Sequence, residues 1–317
     1  MQKKRKKIKK STIILNALFV AFLLLTAVVS QFLSWGSLLP AYPIAEIGEG
    51  EVRLHFLSVG QADCTIVEFD DGELFVIDAG GGSVFEQSNV IRYVKGLKPT
   101  RLNLILTQAT SDHFGGFVGL LNAFRVDAFY FPMMSVSTPR YQTLLKKVQK
   151  EGCATETLSR YATIGRDDGY FVCLSPYSDG ETSVEDSSTV LYFETQGIKT
   201  VFSADIGKDR ERQLAREYLL GVESFTISPY EVRLEEVDIL KVARHGAQSS
   251  SSEEWLNLLR PTEAVISCGA GNGGSSPRQS TIQTLFAVGA EIYRTDELGN
   301  IIISIKDGNY SVTRGES

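Results

Sequence analysis

Histidine is scarce in this 317-residue chain. There are three, His55, His113 and His245. Cysteine is scarce too: Cys64, Cys153, Cys173 and Cys268 lie far apart, with no Cys-x-x-Cys pair. That spacing excludes a zinc ribbon and fits small buried hydrophobes on strands, with at most one disulfide outside the membrane. Acid is missing from the start: no Asp or Glu precedes Glu46, while seven Lys or Arg fall within Met1–Lys10. The remainder holds 25 basic and 38 acidic residues, a balance of −13. A surface so acidic repels phosphate backbones within a Debye length and argues against non-specific nucleic-acid binding by the main domain. Internal repeats are absent, and low complexity is confined to Ser249–Ser252 and Gly269–Ser276.

One long apolar run is present, Thr12–Trp35, directly after the basic run. About 20 apolar residues span a bilayer as a helix, and basic residues stay on the cytoplasmic side. Secretory h-regions are shorter, roughly 7–15 residues, and no Ala-x-Ala site follows here. The expectation is an uncleaved, single-pass signal anchor, with residues 1–11 in the cytoplasm, 12–35 in the membrane, a linker over 36–50 and one extracytoplasmic domain over 51–317. A 43% hydrophobic content suffices for a sizeable core.

Within that domain, strands are expected at Arg53–Val59, Cys64–Phe69 and Glu73–Ile77, separated by turn-forming Gly and Asp residues. Val84–Leu97 reads as a helix ended near Pro99. Leu102–Thr107 is almost continuously apolar, as a strand buried on both faces would be. Further on, helices are expected at Gly116–Phe124, Arg140–Gln149, Asp209–Leu220, Ser252–Leu259 and Arg278–Val288. Strands are expected at Ala128–Phe131, Thr189–Glu194, Thr200–Ser203, Asp238–Ala243, Ala264–Ser267 and in three segments after Glu291. Strand clusters and helices alternate in two halves, which two face-to-face sheets with helices outside would satisfy.

The segment Leu104-Ile-Leu-Thr-Gln-Ala-Thr-Ser-Asp-His113-Phe-Gly-Gly116 is the most telling. It is an apolar strand, then a polar loop, then a Gly-Gly turn into a helix. Around it stand Leu54-His-Phe-Leu-Ser-Val-Gly-Gln-Ala-Asp63, Phe75-Val-Ile-Asp-Ala-Gly-Gly-Gly82, Ser203-Ala-Asp205, Leu240-Lys-Val-Ala-Arg-His-Gly-Ala247, Gly269–Pro277 and Tyr293-Arg-Thr-Asp296. In this order the motifs resemble the soluble domain of ComEC-type competence proteins, a branch of the metallo-β-lactamase superfamily. The multi-helix membrane channel of those proteins is missing from this sequence. The resemblance implies an α/β, four-layer αββα sandwich with a hydrolytic metal site at the loop ends, behind one N-terminal membrane helix.

The resemblance also implies two metals held by His-x-His-x-Asp-His and by later ligands. Gln108 and Thr110 stand where the first two histidines would be, and an amide or hydroxyl oxygen is a poor zinc ligand. Asp112, His113, Asp205 and His245 remain for one divalent ion, Zn²⁺, Mn²⁺ or Fe²⁺, with Asp112 and His113 the catalytic candidates. Arg244 replaces the first His of a His-His-Gly turn, and Ser276 replaces a late His before Pro277. Arg244, Asn272 and Ser276 are candidates for holding an anionic substrate, and Asp78 for orienting the metal loop. Simpler roles stand beside these: Asp112 or Asp205 as helix N-caps, His245 as a turn residue, His55 as a satisfied structural side chain. Three functions are open on this basis: a membrane-anchored hydrolase of phosphodiesters or other anionic esters, a pseudoenzyme that binds or scaffolds, and a role in DNA uptake. Nucleic acid is disfavoured by charge and implied only by the resemblance.

Overall fold

The computed structural model describes residues 10–29, 35–133, 138–177, 184, 186–221, 226–227, 229–271 and 276–315. Helix α1 spans Lys10–Val29 and α2 Trp35–Leu38. Three antiparallel strands follow, β1 (Val52–Phe56), β2 (Thr65–Phe69) and β3 (Glu73–Ile77). Next come α3 (Val84–Leu97), β4 (Arg101–Ile105), the short α4 (Ser111–Phe114), α5 (Phe117–Ala123), β5 (Ala128–Pro132), α6 (Pro139–Glu151) and β6 (Ala154–Leu158). The second half contains β7 (Thr163–Gly165), β8 (Tyr170–Ser175), β9 (Val190–Thr195), β10 (Ile198–Phe202) and α7 (Lys208–Leu220). A small hairpin, β11 (Thr226–Ile227) and β12 (Tyr230–Glu231), precedes β13 (Ile239–Lys241), α8 (Glu253–Leu259), β14 (Glu263–Ile266) and α9 (Gln279–Ala287). The chain closes with β15 (Glu291–Arg294), α10 (Thr295–Leu298), β16 (Ile301–Lys306) and β17 (Asn309–Arg314).

Eight strands form one sheet in the order β17-β16-β1-β2-β3-β4-β5-β6, and seven form the other in the order β15-β14-β13-β10-β9-β8-β7. Strands β3 to β6 run parallel, as do β10, β13, β14 and β15. The carboxyl ends of these parallel strands carry the loops where α/β folds place ligands. Between the sheets lies an aromatic core of Phe56, Phe69, Phe75, Phe171, Phe193 and Phe202. A second apolar layer packs α3, α5 and α6 on the first sheet, and a third packs α7, α8 and α9 on the second. This is the αββα sandwich expected from the motif order.

Helix α3 matches its expected bounds residue for residue. Its start is set by a capping box, in which Glu86 N–H donates to Ser83 Oγ (3.2 Å) and Ser83 N–H donates to Glu86 Oε2 (3.0 Å). Strands β6, β7 and β8 and the β11–β12 hairpin are additions to the sequence reading. The four cysteines are free, with Cys64, Cys173 and Cys268 buried.

Two observations bear on the amino-terminal part. Helix α1 begins at Lys10, and its side chains are described only to Thr26; among the described residues no helix is long and apolar enough to cross a membrane. The segment over 36–50 is not a loose linker. Gly36 lies so close to α3 that a Cβ there would stand 2.8 Å from the Ser88 Cα. Arg92 Nε donates to the Pro40 carbonyl (2.8 Å), Tyr42 N–H to the Arg92 carbonyl (3.2 Å), and Lys95 Nζ to the Ser37 and Leu39 carbonyls. The segment is a strap laid along α3 from its first turns to its end.

Candidate metal centre

The turn after β4 is built around a backbone contact that only glycine permits. A Cβ on Gly115 would stand 1.9 Å from the Gly81 carbonyl oxygen, and one on Gly116 would stand 2.1 Å from that of Ala79. The α4–α5 turn therefore sits directly on the β3–α3 loop. Ala79 N–H donates to the His113 carbonyl (2.8 Å) and Asp63 N–H to the Asp112 carbonyl (3.2 Å), locking three loops together. G115A is expected to cost about 1–3 kcal/mol of overpacking, read as a lower urea midpoint with an unchanged m-value.

Four side chains converge above this turn. Asp112, His113, Asp205 and His245 each place one donor atom within 4.8 Å of the other three. His113 Nε2 lies 3.3 Å from Asp205 Oδ2 and 4.0 Å from Asp112 Oδ2, while His245 Nε2 lies 3.8 Å from Asp112 Oδ2. Three of the four are buried; Asp112, with 36% of its side chain exposed, is the open side. Neither carboxylate caps a helix. The N-cap of α4 is Thr110 and that of α7 is Gly207.

Both imidazoles are fixed with Nε2 facing inward. His113 Nδ1 donates to Asp78 Oδ2 (2.8 Å), and Asp78 is itself held by the Thr107 N–H (2.8 Å) and hydroxyl (2.6 Å). His245 Nδ1 donates to the Ser267 carbonyl (2.9 Å), which can only accept. With Nδ1–H committed in each ring, a neutral imidazole has its lone pair on Nε2, as a metal ligand requires. Among the described residues, His113 Nε2, His245 Nε2 and Asp205 Oδ1 are buried without a hydrogen-bond partner. Buried polar atoms are normally satisfied; two unpartnered imidazole nitrogens gathered with the Asp205 and Asp112 carboxylates fit a divalent ion held by oxygen and nitrogen donors.

His245 is presented by a strained turn. Arg244 and His245 both adopt left-handed backbone conformations, at φ 52° and φ 55°. Gly246 follows at φ 77°, and a Cβ there would meet the Pro277 ring at 2.7 Å. Ser276 is buried beside that turn. The Arg244 guanidinium turns toward Gly207 at the head of α7, 3.9 Å from where a Cβ on Gly207 would stand. Asn272 lies outside the described residues.

Two residues that the sequence reading did not select complete the cluster. Asp63 approaches His245 Nδ1 at 3.4 Å and forms a buried ion pair with Lys241. Both lie inside recognised motifs, Asp63 ending the first and Lys241 just after Leu240, so the motifs themselves were the available signal. With Asp63, Asp78, Asp112 and Asp205 ionised and Lys241 protonated, neutral imidazoles leave the cluster at −3. Two imidazolium protons, or one divalent cation, each bring it to −1. Without a cation, burial disfavours the imidazolium of His113, but Asp78 and Asp205 outweigh it and hold that ring well above its ordinary value. His245 is pushed up to about 9, burial being overcome by Asp63 and Asp112. Burial raises the carboxyls of Asp63, Asp112 and Asp205, yet the facing cations keep all three below the usual range; at Asp78 burial wins and its value rises. K241M would leave the Asp63 charge buried and unpaired, and is expected to cost about 3–5 kcal/mol in chemical denaturation.

Gln108 and Thr110, the residues standing where the motif would have its first two histidines, form a chain of neutral hydrogen bonds. Ser188 Oγ donates to Gln108 Oε1 (2.6 Å), Gln108 Nε2 donates to Thr110 Oγ1 (3.1 Å), and the Thr110 hydroxyl donates to Asp112. His55 lies elsewhere, buried between the Tyr93 hydroxyl (3.0 Å) and Glu68 (2.9 Å).

This geometry sits on a known fold. The metallo-β-lactamase fold protein YhfI from Bacillus subtilis superimposes with a TM-score of 0.50 at 11% identity, over 83% of this chain and 100% of that one. A mutant of the CmlA β-hydroxylase also gives 0.50, at 14% identity, over 82% of this chain and 55% of that one. The chain is a metallo-β-lactamase-fold protein. No family model matches it. ComE operon protein 3 of Bacillus subtilis (strain 168) is 30% identical over 294 residues, 87% of this chain and 36% of that protein. Recombination protein 2 of Haemophilus influenzae is 25% identical over 256 residues, 78% of this chain and 28% of that protein. The fold is thus carried by a ComEC-like domain with a degenerate metal motif, and the chain spans about a third of the length of the curated relatives it matches.

Proposed function

We propose that this chain is a membrane-anchored hydrolase of phosphodiesters or similar anionic esters that works with a single divalent metal. The observation that carries this reading is the pair of inward-facing imidazole nitrogens, His113 Nε2 and His245 Nε2, buried without a hydrogen-bond partner and gathered with the carboxylates of the buried Asp205 and the part-exposed Asp112. A divalent cation held by these four would supply Lewis acidity and a more acidic bound water. The chain's own groups do the rest. Asp78 with Thr107, and the Ser267 carbonyl, keep the two rings in register. Asp112, part-exposed at the mouth and tied to Thr110, leaves the cluster open to solvent on that side. The Asp63–Lys241 pair fixes the charge behind His245.

Membrane anchoring rests on α1. It overlaps the apolar run Thr12–Trp35, and about 20 apolar residues are what a helix needs to span a bilayer's hydrocarbon core. Ten large apolar side chains between Ile13 and Leu25 stand exposed, and seven basic residues fall within the first ten positions. That charge supports an amino terminus in the cytoplasm and a domain outside the cell.

The second reading, a binding or scaffolding pseudoenzyme, is favoured by the Ser188–Gln108–Thr110 chain, which fills the first metal's place with neutral groups. Metal content of the purified full chain and hydrolysis of bis(p-nitrophenyl) phosphate with added Mn²⁺ or Zn²⁺ separate the two. The hydrolase reading expects about one ion per chain and turnover that H113A lowers by 10-fold or more. An absent ion and absent turnover would leave the pseudoenzyme. Salt-sensitive retardation of DNA by the full chain would point instead to the nucleic-acid role implied by the ComE operon and recombination relatives.

A further inference from the structure

The strap places the membrane exit at a particular end of the domain. Gly36 in α2 docks against Ser88 and Ile91 of α3, and Tyr42 and Ile44 lie against Gly96 near the far end of that helix, while Lys95 reaches back to the Ser37 and Leu39 carbonyls and Arg92 to that of Pro40. The chain therefore enters the domain at the first turns of α3. Phe85 lies three residues before Ser88, roughly 4.5 Å along the helix axis. In this first turn Val84 stands in solvent at 65% exposure and Phe85 at 74%, and on the strap laid against the same helix Leu38 stands at 62% and Leu39 at 42%. The capping box holds the turn that carries Val84 and Phe85, so their exposure is built in rather than a frayed end.

This end is also that of the candidate metal centre. Gln87, two residues past Phe85, donates to the Gly115 carbonyl (3.3 Å), two residues past His113. Gly82, just ahead of α3, lies against Gly115. The strap, the apolar turn and the metal loop are thus consecutive neighbours on one end of the sandwich.

Resting on the reading of α1 as an anchor, we propose that the α2–α3 end of the domain lies on the lipid surface, with Val84, Phe85, Leu38 and Leu39 set into the interfacial layer. The occupant of this apolar face is the bilayer that α1 enters. Apolar side chains at the foot of a membrane helix gain transfer free energy by inserting at the interface, and a strap pinned by four hydrogen bonds to backbone carbonyls holds the domain in that pose. The candidate metal centre then opens at headgroup level.

The test uses the full chain in vesicles of phosphatidylcholine and phosphatidylglycerol, with and without bromine on the acyl chains. F85W adds an indole at the proposed contact. F286W adds one at a residue that is 79% exposed at the end of α9, on the opposite outer layer. Emission is read as the difference from the parent chain, and the buried Trp255 reports that each variant is folded. Bromolipid is expected to quench the indole added by F85W at least twofold more than the one added by F286W. Equal or absent quenching in both, with the protein still floating with the vesicles, would overturn the surface and leave the anchor standing. Failure to float with carbonate-washed vesicles would overturn the anchor itself, and the surface proposal with it.

Discussion

Raising the pH from about 6 to about 9 is expected to weaken the metal-free fold and strengthen its grip on a divalent cation. The two slopes have one origin. His245 titrates in an unfolded chain near 6.5 and in the metal-free fold at about 9; His113 is raised as well. A raised imidazole contributes stability that is fully present below the unfolded value and is lost as pH climbs through the folded one. For the nine-tenths buried His245 this amounts to something on the order of 3 kcal/mol. Metal binding runs the other way, because both rings must give up their inward proton before Nε2 can coordinate. Each displaced proton is worth about tenfold in apparent affinity per pH unit, so two imply up to about 100-fold per unit below pH 9. Thermal unfolding in chelator and in excess Mn²⁺ or Zn²⁺, each across this range, measures both slopes. Parallel slopes would mean that the imidazoles are not the ligands.

Restoring imidazoles in the double variant Q108H/T110H is expected to raise bound metal from about one ion per chain to about two. Gln108 is buried, bonded to Ser188 on one side and Thr110 on the other, and Thr110 is bonded to Asp112. The resemblance to the metallo-β-lactamase motif implies a first ion beside this network, whose amide and hydroxyl groups bind zinc poorly. The loops beneath it are locked by the Gly115–Gly81 contact, which the double variant leaves untouched. The readouts are metal stoichiometry by elemental analysis and the midpoint of unfolding with added Zn²⁺. A stoichiometry that stays at one, in a folded variant, would show that the loss reaches beyond these two side chains.

How much could be read beforehand depended on where each signal is stored. The bounds of α3 were legible because Ser83 and Glu86 mark its start and Pro99 follows its end. Strand β6 was not, because Ala154 to Thr157 are all exposed, so no alternation marks an edge strand; β7 has only three residues. Asp112, His113, Asp205 and His245 were nameable through motif order, whereas Asp63 and Lys241 were not. Those two are 178 residues apart and become a pair only when the sheets face each other. The strap escaped notice for a different reason. Its bonds from Arg92 and Lys95 go to backbone carbonyls of Ser37, Leu39 and Pro40, which every residue possesses.

The turn that carries His245 has a cost. Arg244 and His245 are both held left-handed, which sacrifices roughly 1–3 kcal/mol each, and a glycine in place of Arg244 would relieve half of that at once. The ring is therefore aimed into the pocket by backbone that the rest of the fold must hold in place, so loosening the neighbouring loop would swing the imidazole away before any side-chain bond were broken.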